Sequence, residues 1–163
     1  TVCVRDGEFV TIPHKLKRNR LLGLFGKRNK PQTATQAQLL VGFVGLWYMA
    51  GEAHIVSIAV REAYRRSGLG ELLLIGALEM GIRRDCQVLT LEARVSNAPA
   101  IALYKKYGFN SVGVRRAYYS DNAEDATIMT TDTISSDEYQ ALFRNRLAAF
   151  AKRYGETTRE YLI

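Results

Sequence analysis

The stretch YRRSGLGELLL, residues 64–74, places two glycines, Gly68 and Gly70, between a pair of arginines and an apolar run. The segment before it, AHIVSIAV (53–60), is typical of an apolar strand, and the segment after it, LGELLLIGALEMGIRRD (69–85), has apolar residues at helical spacing. Backbone amides at a helix start lack intrahelical partners, and with the helix dipole they attract anions. The loop predicts either a phosphate-binding turn or a plain strand–helix turn in which glycine serves the geometry.

Two common nucleotide-binding patterns do not occur in this sequence. It contains neither G-x-x-x-x-G-K-[ST] nor G-x-G-x-x-G, which argues against a P-loop NTPase and against a dinucleotide-binding fold. A bound phosphate would therefore belong to a ligand of another kind. Arg65 and Arg66 would add positive charge at the edge of its site.

Length and composition indicate one globular domain with its own core. The chain has 163 residues, 47% hydrophobic and 24% charged. No apolar run reaches the roughly 20 residues of a membrane span, and the start, which is Thr and not Met, does not resemble a signal peptide. Cys3 and Cys86 form neither a metal-ligand spacing nor a disulfide framework, so we expect a reducing, cytoplasmic setting.

The net charge of +7 suggests an acidic partner, such as a phosphorylated cofactor or a nucleic-acid-rich particle. Much of this charge lies in KLKRNRLLGLFGKRNK (15–30), which has seven basic residues and no acidic one. We interpret residues 15–38 as a flexible basic insertion. It is either a solvated loop or an electrostatic contact with RNA or the ribosome.

The remaining pattern alternates strands with helices, which predicts an α/β (α+β) domain with a mixed sheet and helices on its faces. The first two strands, 39–50 and 53–60, would form a hairpin separated by Gly51 and Glu52. Asn97 suits the start of the second helix, and Ser135 with Glu138 suggests a capping box for an amphipathic final helix. The later elements are a strand at 87–94, a helix at 98–108, strands at 110–119 and 124–132, and a helix at 135–155.

The segment IAVREAYRRSGLGELLL (58–74) resembles the signature of the GNAT superfamily of acyl-CoA N-acyltransferases, with its R-x-x-G-x-G core on Arg65, Gly68 and Gly70. Three further segments look like the bacterial ribosomal-protein-alanine N-acetyltransferases: LEARVSNAPAIALYKKYGF (91–109), RRAYY (115–119) and EDATIM (124–129). The resemblance, which runs from about residue 39 to 131, implies a mostly antiparallel sheet flanked by helices. Because that family begins with a strand and two helices, its N-terminal elements look truncated here, and the final helix is an addition.

The resemblance implies acetyl-CoA as co-substrate and no metal. In that family the loop amides bind the pyrophosphate, and the strand before the loop pairs with the pantetheine arm. The matching positions here are Ile58, Ala59, Val60, Arg65, Arg66, Ser67, Gly68, Leu69, Gly70, Glu71, Asn97 and Tyr104.

Acetyl transfer to an amine benefits from a base for the amine and an acid for the departing thiolate. Glu92 is the candidate base, chiefly because the resemblance places the proposed base of the family at this position; burial in an apolar strand would also raise the pKa of its carboxyl. Tyr104 is the candidate acid, because the family places a tyrosine here near the sulfur of coenzyme A. The alternatives are a Glu92 that is exposed or paired with Arg94, and a Tyr104 that belongs to the core.

Three further residues are candidates for the acceptor groove. Glu52 is also the second candidate base, and Tyr118 and Tyr119 could equally be ordinary strand aromatics. His54 lies in an apolar strand, where a structural role is the usual one, and it forms no ligand cluster with His14. We expect a donor amide from the strand at 58–60 to stabilise the oxyanion.

These features predict direct transfer of an acetyl group, in a ternary complex, to the free N-terminal amine of a protein, for which a ribosomal protein is one candidate. Two alternatives remain open at this point. One is a GNAT enzyme that acts on a small-molecule amine or a lysine. The other is a catalytically silent module that binds coenzyme A or the ribosome.

Overall fold

A computed structural model describes residues 2–5 and 40–157 of the chain. These residues form one six-stranded mixed sheet and three α-helices. The predicted basic insertion at 15–38 lies outside the described residues. The elements are β1 (Val2–Arg5), β2 (Gly42–Met49), β3 (Glu52–Val60), α1 (Leu69–Arg83), β4 (Val88–Arg94), α2 (Ala98–Lys106), β5 (Phe109–Tyr119), β6 (Glu124–Thr131) and α3 (Asp137–Tyr154).

The strands follow the order β1-β2-β3-β4-β6-β5, and three of their five pairings are antiparallel. The mostly antiparallel sheet predicted from the sequence is therefore confirmed. Strand β1, which pairs in parallel with β2, was not predicted.

The two halves of the sheet separate between β3 and β4. Their parallel pairing runs only from Glu52 opposite Val88 to Ile55 opposite Leu91. The next residue of β3, Val56, is an extra residue in the register with β2, and such a bulge bends and twists a strand. Beyond it, β3 stays paired with β2 and β4 with β6, so the facing edges of β3 and β4 are no longer joined.

Helix α1 lies at the centre of the core. The sequence predicted an apolar face on it, but every residue from Leu72 to Leu78 is buried. A helix that is buried on all sides needs cover beyond a single sheet. Residues of α3, including Phe143 and Phe150, belong to the same buried cluster and provide part of that cover.

Two local predictions were off by one residue. The β2–β3 turn is formed by Ala50 and Gly51, both with positive φ, and Glu52 already belongs to the strand. Helix α3 is capped by Ser136, whose side chain accepts a hydrogen bond from the backbone amide of Tyr139. Ser135 therefore is not the cap, and the predicted capping box with Glu138 is wrong.

Candidate active site

A groove opens on the face of the sheet where β3 and β4 begin to separate. It has a volume of about 400 Å³ and contains both apolar and ionisable side chains. Trp47, Met49 and Val56 are exposed although they are large and apolar. The groove is lined by Trp47, Met49, Glu52, His54, Val56, Thr90, Glu92, Arg115 and Tyr118.

The carboxylate of Glu92 lies at the buried end of this groove. Its side chain is only 7% exposed. Glu92 Oε2 lies 3.0 Å from His54 Nε2, and Glu92 Oε1 lies 3.3 Å from Nη2 of Arg115. The alternative pairing with Arg94 does not form, because Arg94 instead binds Asp121 and Glu124 at the β5–β6 turn.

His54 lies in the groove, although the sequence predicted only a structural role for it. Its Nδ1 lies 2.8 Å from Thr90 Oγ1, and its Nε2 faces Glu92. His54 and Thr90 are opposite each other in the β3–β4 register, and Glu92 is two residues further along the same face of β4. The alternation of side chains along β3 and β4 was visible in the sequence, but the pairing of these two strands, which brings His54 to Glu92, was not.

Tyr104 projects from α2 and is 6% exposed. Burial, with a smaller contribution from nearby Tyr119, raises the pKa of Tyr104 to about 12. The hydroxyl therefore keeps its proton at neutral pH. Tyr104 also packs on Phe109, with 5.9 Å between the ring centroids. Its packing is therefore that of a core tyrosine, which was the alternative prediction for this residue.

The glycine loop is the start of α1. Gly68 is the N-cap, with φ of 85°, and the first helical hydrogen bond runs from the amide of Leu72 to the carbonyl of Gly68. The amides of Leu69, Gly70 and Glu71 thus precede that bond. They are the donors that a bound phosphate would use.

Side chains fix the loop to the end of β3. Arg65 Nε donates to the carbonyl of Val60 over 3.3 Å, and Ser67 Oγ donates to the carbonyl of Tyr64. Arg66 adopts a positive φ of 62°, which is costly for a residue with a side chain. The loop is therefore shaped by its own contacts as well as by glycine.

The two glycines have different surroundings. A Cβ atom on Gly68 would lie 2.9 Å from the ring of Tyr154 at the end of α3. A Cβ atom on Gly70 would meet nothing closer than Val60, at 3.9 Å. Packing against α3 thus requires glycine at 68, whereas at 70 the space next to the backbone is open.

Two other residues on the predicted cofactor surface already have structural partners. The carboxylate of Glu71 binds Lys106 and accepts a hydrogen bond from Tyr107 Oη, 2.7 Å away, so it joins α1 to α2. Asn97 Oδ1 accepts a hydrogen bond from the amide of Ala100 and caps α2. A cofactor contact from Glu71 would therefore use its backbone amide.

The remaining candidates belong to two strands, Glu52 to β3 and Tyr118 with Tyr119 to β5. Glu52 and Tyr118 line the groove, and Tyr118 is 44% exposed. Tyr119 packs edge-on against Tyr118, and the guanidinium of Arg94 lies 3.8 Å from the centroid of the Tyr119 ring. The structure therefore brings Glu52, His54, Glu92 and Tyr118 together, with Tyr119 behind them.

Two other features are absent from residues 40–157 and β1. These residues contain no cluster of three or more His, Cys, Asp or Glu side chains suited to a metal ion. None of their helices has the length and apolar character needed to cross a membrane.

Comparison with known proteins places this geometry in a family. Residues 13–109 match the model of the acetyltransferase (GNAT) family. A Bacillus subtilis (strain 168) relative, provisionally assigned as a [ribosomal protein bS18]-alanine N-acetyltransferase, is 47% identical over 90 residues, which are 55% of this chain and 60% of the relative. The chain thus spans less than two thirds of that relative's length.

Two solved structures are similar. The ribosomal-protein-S18-alanine N-acetyltransferase from Escherichia coli is 39% identical, with a TM-score of 0.56 over 63% of this chain and 68% of that one. A provisionally assigned streptothricin acetyltransferase from Bacillus anthracis (strain Ames), in complex with acetyl coenzyme A, is 27% identical, with a TM-score of 0.50 over 56% and 55%. Because the family model matches more than half of the chain, the chain belongs to the GNAT family.

Proposed function

We propose that this GNAT-family chain transfers the acetyl group of acetyl-CoA to the free N-terminal α-amine of a protein, with a ribosomal protein as the foremost candidate. The observation that carries the proposal is the position of Glu92, a nearly buried carboxylate beside His54, where β3 and β4 separate. Transfer is direct, from the thioester to the amine within a ternary complex.

Acetyl-CoA would bind where strands β3 and β4 separate. The amides of Leu69, Gly70 and Glu71 are suited to its pyrophosphate, since they precede the first hydrogen bond of α1. The edge of β3 from Ile58 to Val60 does not pair with β4, so its backbone is available to the amides of the pantetheine arm. The B. anthracis protein, whose structure contains acetyl coenzyme A, supports this class of co-substrate.

The attacking amine must lose its proton. A free α-amine has a pKa near 7.7–8.0, whereas a lysine amine has one near 10.4, so the α-amine needs far less help at neutral pH. Glu92 accepts the proton, directly or through water, and the contact with His54 Nε2 orients its carboxylate. The guanidinium of Arg115 balances the negative charge of Glu92.

The tetrahedral intermediate and the leaving thiolate need donors. A backbone amide of Ile58–Val60 would stabilise the oxyanion. Tyr104 would donate its proton to the thiolate, because burial keeps its hydroxyl protonated at neutral pH. Asn97 would contact the cofactor arm through the part of its amide that does not cap α2.

The acceptor would enter along the groove lined by Trp47, Met49 and Tyr118, and Glu52 at its rim would attract the positively charged N-terminus. The relatives from B. subtilis and E. coli, both named as alanine N-acetyltransferases of a ribosomal protein, support this choice. A ribosomal acceptor implies a cytoplasmic protein. Contact with RNA through residues 15–38 remains a prediction, which salt-dependent RNA binding would test.

The first experiment incubates the protein with acetyl-CoA and a peptide panel. The panel holds peptides beginning with Ala, Gly, Ser or Met and N-terminally blocked peptides with an internal lysine. Thiol release is followed, and each product is identified by mass. Acetylation of free N-termini with inert blocked peptides supports the proposal, whereas transfer to lysine alone, or no transfer despite acetyl-CoA binding, contradicts it.

A further inference from the structure

The last turn of α3 lies against the loop that starts α1, although some 86 residues of sequence separate Tyr154 from Gly68. The ring of Tyr154 is so close to Gly68 that a Cβ atom there would lie 2.9–3.0 Å from three of its carbon atoms. Tyr154 in turn packs on the buried ring of Phe150, with 4.9 Å between centroids. The end of α3 is thus anchored in the core and supports the loop directly.

The same turn of α3 carries two exposed cations, Lys152 and Arg153. The guanidinium of Arg153 lies 5.1 Å from the centroid of the Tyr154 ring, which is the ring that lies against Gly68. The loop itself contributes Arg65 and Arg66, both exposed. Four exposed cations thus belong to the loop and to the turn of α3 that lies against it, and Glu156 is the acidic residue that follows directly after α3.

Basic residues in the last turn of a helix also interact favourably with its dipole, and that role by itself would explain Lys152 and Arg153. The dipole role, however, concerns the stability of α3 alone. It predicts no difference between ligands that differ only in a terminal phosphate. Ligand discrimination therefore separates the two explanations.

We propose that the last turn of α3 forms part of the coenzyme site. In it, Arg153 is the cation for the 3′-phosphate of coenzyme A, and Tyr154 positions the pyrophosphate loop through Gly68. The inference rests on the proposed coenzyme. The 3′-phosphate is the most highly charged single group of that coenzyme, with a charge near −2 at neutral pH. It belongs to the nucleotide end of the molecule, beyond the pyrophosphate that the loop amides would hold.

The test of Arg153 compares the affinities of the whole protein for coenzyme A and for 3′-dephospho-coenzyme A by calorimetry. We expect the unmodified protein to bind coenzyme A about five-fold or more tightly, and Arg153→Gln to reduce that ratio to about two-fold or less. Arg144→Gln is the matched control. It removes the same charge from an exposed position nine residues earlier on α3, about 14 Å away along the helix axis, and should keep the full ratio.

The test of Tyr154 uses Tyr154→Ala, with Leu147→Ala as a control that removes another partly buried side chain of α3. Tyr154→Ala should weaken the binding of both ligands about ten-fold and equally, because the loop loses its support. Tyr154→Phe, which keeps the ring, should restore affinity. Leu147→Ala should bind both ligands normally at temperatures well below its melting point.

The outcomes are distinct. If Arg153→Gln keeps the ratio of the unmodified protein, or if that protein binds both ligands equally, the role of Arg153 is overturned. If Leu147→Ala weakens binding as much as Tyr154→Ala, the role of Tyr154 is overturned. If the unmodified protein binds neither ligand, the proposed coenzyme fails and this inference fails with it.

Discussion

His54 Nε2 lies 3.0 Å from Glu92 Oε2 while His54 Nδ1 lies 2.8 Å from Thr90 Oγ1, so one imidazole joins the carboxylate to the neighbouring hydroxyl. An ionised carboxylate only accepts hydrogen bonds, and therefore Nε2 must be the donor. In the neutral ring Nδ1 then accepts from the Thr90 hydroxyl. The pairing of two strands thus selects one tautomer of His54 and fixes the direction of the Glu92 carboxylate.

Replacing Glu92 by Gln should abolish most of the activity. The amide is nearly the same size but cannot accept the proton of the amine, and general-base catalysis is worth about 10²–10⁴-fold. We expect kcat to fall by about that factor with little change in the affinity for acetyl-CoA. Glu52→Gln, in the same groove, is the control and should affect mainly KM for the peptide; a Glu92→Gln variant with normal kcat would remove Glu92 from the mechanism.

Tyr104→Phe should lower kcat about 10²-fold or more, because the thiolate loses its proton donor. It should also change the alkaline stability of the fold. The pKa of Tyr104 is raised from about 10 to about 12 in the folded protein, so the neutral hydroxyl favours folding. That contribution is complete below pH 10 and is lost as the pH rises from 10 to 12.

The loss amounts to about 2–3 kcal/mol as an upper estimate. Urea unfolding at pH 8 and pH 11 would measure about half of this loss, and Tyr104→Phe should show a smaller decrease between these values than the unmodified protein. An identical decrease in both proteins would show that Tyr104 titrates normally.

The two loop glycines should respond differently to alanine. Gly68→Ala introduces a side chain at φ of 85° and against the Tyr154 ring, and should cost about 1–2 kcal/mol from the backbone alone. Gly70→Ala lies within α1 with free space around its Cβ, and should unfold no more easily than the unmodified protein. Its coenzyme affinity should nevertheless fall, since the methyl group faces the open side of the loop.

Thermal unfolding and calorimetric binding of coenzyme A, measured on both variants, separate stability from affinity. A Gly70→Ala variant that binds coenzyme A normally would show that the ligand does not approach the backbone there.

Acid stability should depend on Arg94. This guanidinium donates from Nη2 to both oxygens of Asp121, at 3.0 and 2.9 Å, and from Nη1 to Glu124 Oε2 at 3.1 Å. The hydrogen bond from Arg94 lowers the pKa of Asp121, and hydrogen bonds from Ser96, then Arg94, lower the pKa of Glu124 to about 2. Since both pKa values are lowered by folding, their contribution is present above about pH 4.5 and is lost as the pH falls towards 2.

Arg94→Gln should therefore flatten the decrease in melting temperature between pH 5 and pH 2.5. Arg144→Gln, which removes the same charge from an exposed position of α3, is the matched control. Equal pH profiles for Arg94→Gln and the unmodified protein would contradict this account.

Local patterns in the sequence predicted much of the fold. The strand expected at 87–94 is β4, and Asn97, expected at the start of the second helix, caps α2 with its side chain. The cap of α3 was misplaced because Ser135 and Ser136 are both good caps, and the choice between them depends on the tertiary packing of the helix start.

The part of the site that could not be predicted from the sequence consists of contacts between segments that are distant in the chain. Lys106 and Tyr107 bind Glu71 from 35 and 36 residues away, and His54 meets Glu92 only because β3 and β4 pair in one particular register. Neither contact has a local signature. The roles predicted for Glu92, Tyr104 and the loop depended on a family resemblance, and those roles remain predictions.

The early end of the β3–β4 pairing has a thermodynamic consequence. A sheet that is interrupted in its middle lacks backbone hydrogen bonds that a bound coenzyme would supply, so the occupied protein unfolds less readily than the empty one. At a ligand concentration 100 times its dissociation constant, the gain is about 2.7 kcal/mol. The melting temperature of the protein would then rise with the concentration of acetyl-CoA.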